Sequence, residues 1–264
     1  MKTRLDKYLH EHGFFESRKR ASAAVMEGLV LVKGRSTVKP GTQVTGDEEI
    51  EIKKPQKAFV SRGGFKLDHA LDAFEVDVSG RVVVDVGSAT GGFTECLLKR
   101  GAEKVIALDV GKGQLHLKLR QDPRVIVLEG FNARYLEPED LPFMPSLATL
   151  DVSFISLKKV IEPVMAVLSD GEMVALVKPQ FEGDPRFVSR GGVVKNPDFH
   201  VLILNGLLGW LEERDLGLCG VAASPIKGPK GNIEYFFHVK RCRKSPVNAG
   251  HIAAEVKRAT GEQA

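Results

Sequence analysis

Three charged residues stand where apolar segments end or begin, and a fourth sits on a helix. Lys178 closes the run Met173-Val174-Ala175-Leu176-Val177, and Pro179 follows, so the strand cannot continue. Asp151 ends the apolar part of "ATLDVSFISL", Glu234 opens "GNIEYFF", and Lys66 sits in the helical "SRGGFKLDHAL". Charges at buried strand ends are costly unless paired, and two lysines with two acids supply their own pairing. Asp151 and Lys178 end consecutive strands, which makes them neighbours. A desolvated lysine crowded by Lys66 gives up its proton more readily. The set therefore suits proton acceptance: Lys178 as acceptor, Asp151 orienting it, and Glu234 balancing the second lysine.

A second group of residues reads as a ligand site. "VVVDVGSATGGFTE" puts Asp85 at the end of a strand, then Gly87, Ser88, Gly91 and Gly92, with Phe93 and Thr94 opening a helix. Glycines there let the backbone turn sharply and approach a ligand at a helix N-terminus. The spacing is not the dinucleotide fingerprint GxGxxG. An acid inside the loop opposes a pyrophosphate and suits a cationic nucleoside such as S-adenosylmethionine. The next strand ends in "ALDVGKGQL", placing Asp109 where such folds hold ribose hydroxyls. The third ends in "LEGFNAR", offering Phe131 to stack on an adenine and Asn132 to hydrogen-bond it. Three consecutive strand ends then face one crevice.

The elements that must hold these residues follow from hydrophobic patterning. Apolar runs occur at 81–87, 104–110, 124–129, 147–152, 172–177 and 218–223, with "IEYFFHVK" last. Helical stretches intervene, among them "GGFTECLLKRG" and "FHVLILNGLLGWLEER". The alternation predicts an α/β domain with a mostly parallel sheet and helices on both faces. No long helix separates the last two runs, so an antiparallel hairpin is expected at one edge. The boundaries expected are 1–56 for a first domain, 57–64 for a linker ("KKPQKAFVSRGG" being polar and glycine-bearing), 65–243 for the α/β domain, and 244–264 for a tail. That tail has few apolar anchors and is expected to be loosely ordered.

The first domain reads as α+β. "TRLDKYLHEHG" forms a short helix with Leu5, Tyr8 and Leu9 on one stripe and Gly13 closing it. "ESRKRASAAVMEG" forms a second, with Ser17 as N-cap and Gly28 as stop. "LVLVKGRST" and "DEEIEI" read as strands, with a turn at Lys33-Gly34. Residues 1–57 hold 12 Lys+Arg against 8 Asp+Glu, whereas the rest balance at 26 against 26, so the net charge of +4 lies wholly in the first fifth. That excess points to a polyanion. Arg18, Lys19 and Arg20 occupy a first helical turn, against the helix dipole, and so face something anionic.

These residues resemble the small RNA-binding domain first described in small-subunit ribosomal protein four. The shared pattern is Arg4-Leu5-Asp6-Lys7, Ser17-Arg18, Ala21, Gly28-Leu29-Val30, Val32, Gly34, Pro40, Val44, Asp47 and Ile50. It implies recognition of RNA shape and phosphate, with Arg4, Lys7, Arg18, Lys19, Arg20 and, within the linker, Arg62 as contact residues. Lys66, Asp151, Lys178 and Glu234 in turn resemble the Lys-Asp-Lys-Glu tetrad of FtsJ-type ribose 2′-O-methyltransferases. With "VSRGGFKL", "DVGSATGGFT", "LDVGKGQL", "LDVSFISL", "LVKPQFE" and "GNIEYF", the chain is similar to the hemolysin-type TlyA family of rRNA methyltransferases from residue 1 to about 242. The resemblance implies a Rossmann-like sheet with an antiparallel last strand, S-adenosylmethionine as cofactor, and methylation of a cytidine 2′-hydroxyl in ribosomal RNA or ribosomal subunits.

Composition sets the exclusions. Cys96, Cys219 and Cys242 lack CxxC spacing, which argues against a disulfide framework and a zinc site; no metal is expected. The charged start "MKTRLDKYLHEHG" is no signal peptide, and no window approaches 18 uninterrupted apolar residues. The expectation is a cytoplasmic enzyme without a membrane or an obligate protein partner. Two rivals remain to be tested: a non-catalytic RNA- or ribosome-binding factor, and a pore-forming hemolysin.

Overall fold

Leu5, Leu9, Ala21, Ala24, Val25, Val30 and Val44 are all buried together and make the core of the first unit. The computed structural model describes residues 2–26, 29–33, 38–52 and 59–261. The helix stop expected at Gly28, the Gly34 side of the turn, the linker's residues 57 and 58 and the last three residues lie outside the described residues. The chain divides into two units, Met1–Ala58 and Phe59–Ala264.

The first unit contains β1 (Thr3–Arg4), α1 (Leu5–Glu11), α2 (Arg18–Met26), β2 (Val30–Val32), β3 (Gln43–Val44) and β4 (Ile50–Ile52). The first helix begins two residues later than its sequence suggested. Thr3 and Arg4 instead pair antiparallel with Val44 and Gln43. That arrangement satisfies the open donors of the helix N-terminus, because Leu5 N donates to Thr42 O at 2.7 Å and Asp6 N to Pro40 O at 3.0 Å. Ser17 caps α2 as expected, its Oγ accepting from Arg20 N at 3.2 Å. β2 and β4 pair antiparallel.

The second unit runs α3 (Gly63–Ala73), β5 (Val82–Val86), α4 (Gly92–Lys99), β6 (Lys104–Asp109), α5 (Leu117–Arg120), β7 (Val125–Glu129), β8 (Leu147–Leu150), α6 (Ile161–Ala166), β9 (Glu172–Val177), α7 (Pro179–Glu182), α8 (Pro197–Glu212), β10 (Leu216–Ala223), β11 (Tyr235–Arg241) and α9 (Ala249–Thr260). The sheet order is β10-β11-β9-β8-β5-β6-β7. The five strands from β5 to β9 are parallel, and β11 enters antiparallel between β9 and β10. This is the mostly parallel α/β sheet with an antiparallel edge hairpin read from the sequence.

Strand side chains alternate between faces. Val83, Val174, Leu176 and Phe236 pack with Leu67 and Leu71 of α3 and with Phe93 and Leu97 of α4. Val84, Ala175, Tyr235 and Phe237 pack on the other face, under α6, α8 and α9. Phe59 to Gly64, expected in the linker, pack within this unit: Val60 N donates to Glu95 Oε2, and α3 starts at Gly63.

The tail differs from its expectation. Residues 249–260 form α9, capped by Asn248, whose side chain accepts from Gly250 N and His251 N, and ended by Gly261 in a left-handed conformation. Ile252 and Val256, one turn apart, are fully buried against the sheet. Two anchors at i and i+4 suffice to dock a short amphipathic helix.

Candidate active site

Three strand-end charges converge on Lys66 of α3 for one reason, strand parity. Lys178 follows Leu176 by two positions, Glu234 precedes Phe236 by two, and Asp151 follows Leu147 by four. All three therefore project to the face that carries α3, where Lys66 is. Two ion pairs result. Lys178 Nζ lies 2.7 Å from Asp151 Oδ1, and Lys66 Nζ lies 2.5 Å from Glu234 Oε2. The first is a charge contact without hydrogen-bond alignment, since Asp151 Oδ1 lacks an aligned donor; Lys178 directs an N–H to Ser153 Oγ at 2.7 Å. Glu234 is almost fully buried, and its Oε1 has no hydrogen-bond partner among the described residues.

Two cavities meet at this cluster. One, of about 430 Å³, is lined by Gly87, Asp109, Phe131, Asn132 and Asp151. The other, of about 360 Å³, is lined by Lys178, Phe181, Lys230, Asn232 and Glu234. Ser153 and Phe154 line both and form their common wall. Lys66 stands behind Glu234 and lines neither.

Within the first cavity, Asp109 Oδ2 accepts from Ala89 N at 2.8 Å and Oδ1 from Gly111 N at 2.7 Å. One carboxylate thus ties the turns after β5 and β6 together at the mouth. Asn132 Oδ1 accepts from Arg134 N at 3.2 Å, leaving its amide nitrogen for a ligand. Ser88, Gly91 and Gly92 form the turn into α4, and Phe93 packs on Phe236 in the core with ring centroids 6.1 Å apart.

Asp85 lies beneath this turn rather than in the cavity where the sequence placed it. It shares the parity of Val83, so its side chain points to α4. There Thr94 Oγ1 donates to Oδ2 at 2.6 Å and Thr149 Oγ1 to Oδ1 at 3.0 Å. Burial pushes its carboxyl up to about 7, against the lowering effect of those two hydroxyls. Asp85 and Thr94 therefore anchor the turn.

Several contributors were missed. Ser153 and Phe154 sit inside "LDVSFISL" but have no charge to attract notice. Glu129 accepts from Gly113 N, Gln114 N and Leu115 N, which places Gln114 on the cavity, and the Gly113 amide, with Arg120 and the Leu115 amide, holds its carboxyl at about 2. Asn232, which joins Gly192 O to Val194 N, was hidden next to Glu234.

In the first unit, Arg4 and Arg18 both bond the buried Asp6, at 3.0 and 3.1 Å, and hold its carboxyl below the usual range, Arg4 most. Lys7 pairs with Glu11 at 3.5 Å and Arg20 with Glu16 at 2.7 Å, while Lys19 is exposed. Arg62 is exposed at the start of α3 in the second unit. Among the described residues no helix is long and apolar enough to cross a membrane, and no cluster of three His, Cys, Asp or Glu could hold a metal.

Comparison with known proteins agrees with both units. Residues 59–241 match the FtsJ-like methyltransferase family and residues 3–50 the S4 domain. The chain is 41% identical over 263 residues to the 16S/23S rRNA (cytidine-2′-O)-methyltransferase TlyA of Mycobacterium tuberculosis, covering 99% of this chain and 98% of that one. It is 40% identical over 237 residues to Hemolysin A of Brachyspira hyodysenteriae, covering 89% and 98%. A solved Streptococcus thermophilus structure whose description uses the word hemolysin superposes with a TM-score of 0.76 at 38% identity, covering 99% and 96%. With an S4 domain ahead of a methyltransferase sheet, and identity sustained over its full length, the chain belongs to the FtsJ-like methyltransferases and within them to the TlyA family.

Proposed function

We propose that this protein methylates the 2′-hydroxyl of a cytidine in ribosomal RNA, using S-adenosylmethionine. The observation that carries the reading is the position of Lys178, which lines the second cavity and lies 2.7 Å from Asp151, a residue lining the nucleoside-sized first one.

The residues of the first cavity fit the cofactor. Asp109 offers a carboxylate for a ribose diol, Phe131 and Ile155 offer apolar walls for a purine, and Gly87 leaves the backbone bare for close approach. When bound, S-adenosylmethionine supplies an electrophilic methyl group on a sulfonium. The rest is the work of the chain. A ribose hydroxyl in the second cavity is aligned toward the wall, and alignment supplies a large part of the rate. Lys178 takes the hydroxyl proton with its amine neutral and becomes an ammonium, whose charge Asp151 stabilises while Ser153 holds the nitrogen in place, and Glu234 pairs with Lys66 behind the cavity.

The S4 unit contributes affinity through Arg4, Lys7, Arg18, Lys19 and Arg20, and Arg62 adds to it from the second unit. The work is placed in the cytoplasm, where ribosomal RNA is. The deciding measurement incubates the protein with methyl-labelled S-adenosylmethionine and either naked ribosomal RNA or isolated subunits. Label should appear on a ribose, and mapping gives the nucleotide. No transfer to either substrate makes the protein a binding factor only.

A further inference from the structure

Glu182 ends α7, four residues after Lys178, and lines neither cavity. Its half-buried carboxylate reaches to the loop that follows β8. Oε2 accepts from Ser156 Oγ at 2.6 Å and Oε1 from Leu157 N at 2.7 Å. Burial pushes this carboxyl up, and the two donors offset part of that cost. Ser156 Oγ caps the turn at Leu157–Lys159 by accepting from Lys158 N at 3.2 Å, and Glu182 supplies the partner for the remaining Leu157 N.

What the carboxylate fastens is the loop from Asp151 to Ser156. That loop brings Asp151 and Ser153 each to 2.7 Å from Lys178 Nζ. It also carries Phe154, which is 91% exposed, has φ +63°, and faces Phe181 of α7 with centroids 5.2 Å apart. A left-handed backbone at a non-glycine residue costs free energy and persists only where the surroundings hold it. The aromatic contact and the Glu182 clamp both fasten this loop to α7. One short helix thus starts at Lys178 and, at its other end, grips the loop that contacts Lys178.

We propose that Glu182 is a positioning residue for methyl transfer: by clamping Ser156 and Leu157, it keeps Asp151 and Ser153 on Lys178 and keeps the Phe154 wall between the two cavities. The inference rests on Lys178 being the proton acceptor.

Steady-state kinetics on the full-length protein with methyl-labelled S-adenosylmethionine and ribosomal RNA test it. Glu182→Ala should lower kcat at saturating substrates by about tenfold to a hundredfold, the scale of misplaced reacting groups, while the RNA KM stays close to wild type. Glu182→Gln can still accept from Leu157 N and donate to Ser156 Oγ, so it should recover most of kcat. Ser156→Ala cuts one arm of the clamp, together with the acceptor for Lys158 N, and should fall between the two, which keeps the comparison available should the Glu182→Ala protein fail to fold. An active wild type whose Glu182→Ala or Ser156→Ala variant keeps full kcat overturns the clamp alone, as does a Gln variant as impaired as alanine. A raised KM with unchanged kcat overturns it too. A wild type without methyl transfer overturns the functional reading, and the clamp with it.

Discussion

Gly87 rests on the backbone carbonyl of Asp151. A Cβ at position 87 would lie 2.5 Å from that oxygen, and the residue has φ +84°. Val86 pairs with Leu150 in parallel register, and Asp151 N donates to Val86 O at 2.9 Å. The turn that shapes the first cavity and the acid that touches Lys178 are therefore held as one piece of backbone.

Gly87→Ala tests that joint. Left-handed backbone costs a residue with a Cβ about 1–2 kcal/mol, and contact with a main-chain oxygen adds to it because neither partner can turn away. The variant should melt at lower temperature and bind S-adenosylmethionine at least about tenfold more weakly, equivalent to about 1.4 kcal/mol. Differential scanning calorimetry and titration calorimetry read the two effects. Wild-type values in both would mean the contact is easily relieved.

Asp85 gives a pH dependence with a definite sign. The folded chain keeps its proton up to about pH 7, whereas the unfolded chain releases it near 3.8. Between those values the folded state binds more protons, so this group's contribution to stability falls as pH rises through the window. Asp85→Asn keeps an acceptor for one threonine and a donor for the other and never ionises. Urea titrations at several pH values should show the variant gaining on wild type from pH 4 to pH 7. Parallel curves would mean the carboxyl is ionised throughout.

RNA affinity should reside in the first unit. Lys19→Glu alters an exposed side chain alone, whereas Arg18→Glu also strips a partner from the buried Asp6. Reversing Arg18, Lys19 and Arg20 together should weaken RNA binding and flatten the log–log salt slope by about 0.7–0.9 for each phosphate no longer neutralised. S-adenosylmethionine affinity should not move. Filter binding across a salt series settles this, and an unaltered slope would move the RNA surface elsewhere.

Sequence showed most where physics is periodic. Alternating apolar runs gave the sheet, and their parity already implied that Asp151, Lys178 and Glu234 share a face, because each lies an even number of positions from a core residue of that face. Asp85 reads in the sequence as a ligand contact because it stands beside glycines, and its place on the α4 side shows only in the structure. Other features depended on long-range geometry. Glu182 meets Ser156 only once β8 and β9 pair, and Phe154 joins two cavities through a left-handed residue that its type does not favour. α9 was obscured because two buried residues among twelve leave a weak apolar signal.

Lys178 separates two kinds of chemistry. Its nitrogen lies 2.7 Å from both Ser153 Oγ and Asp151 Oδ1, a position that an ammonium anchor and a neutral-amine proton acceptor can both occupy, so the two roles look alike in the resting protein. Substitution distinguishes them. Lys178→Ala should fold, bind cofactor and RNA, and lose methyl transfer by about two to four orders of magnitude, the range for a general base. Lys178→Arg keeps the charge and can still meet Asp151, but a guanidinium stays protonated and cannot take the hydroxyl proton. It should be as inactive as alanine. Single-turnover transfer at saturating enzyme, read over a pH series, isolates this step from binding. Substantial turnover by the arginine variant would leave Lys178 as an anchor only, and a product methylated on the base rather than resistant to alkaline cleavage at one ribose would remove all four residues from the chemistry.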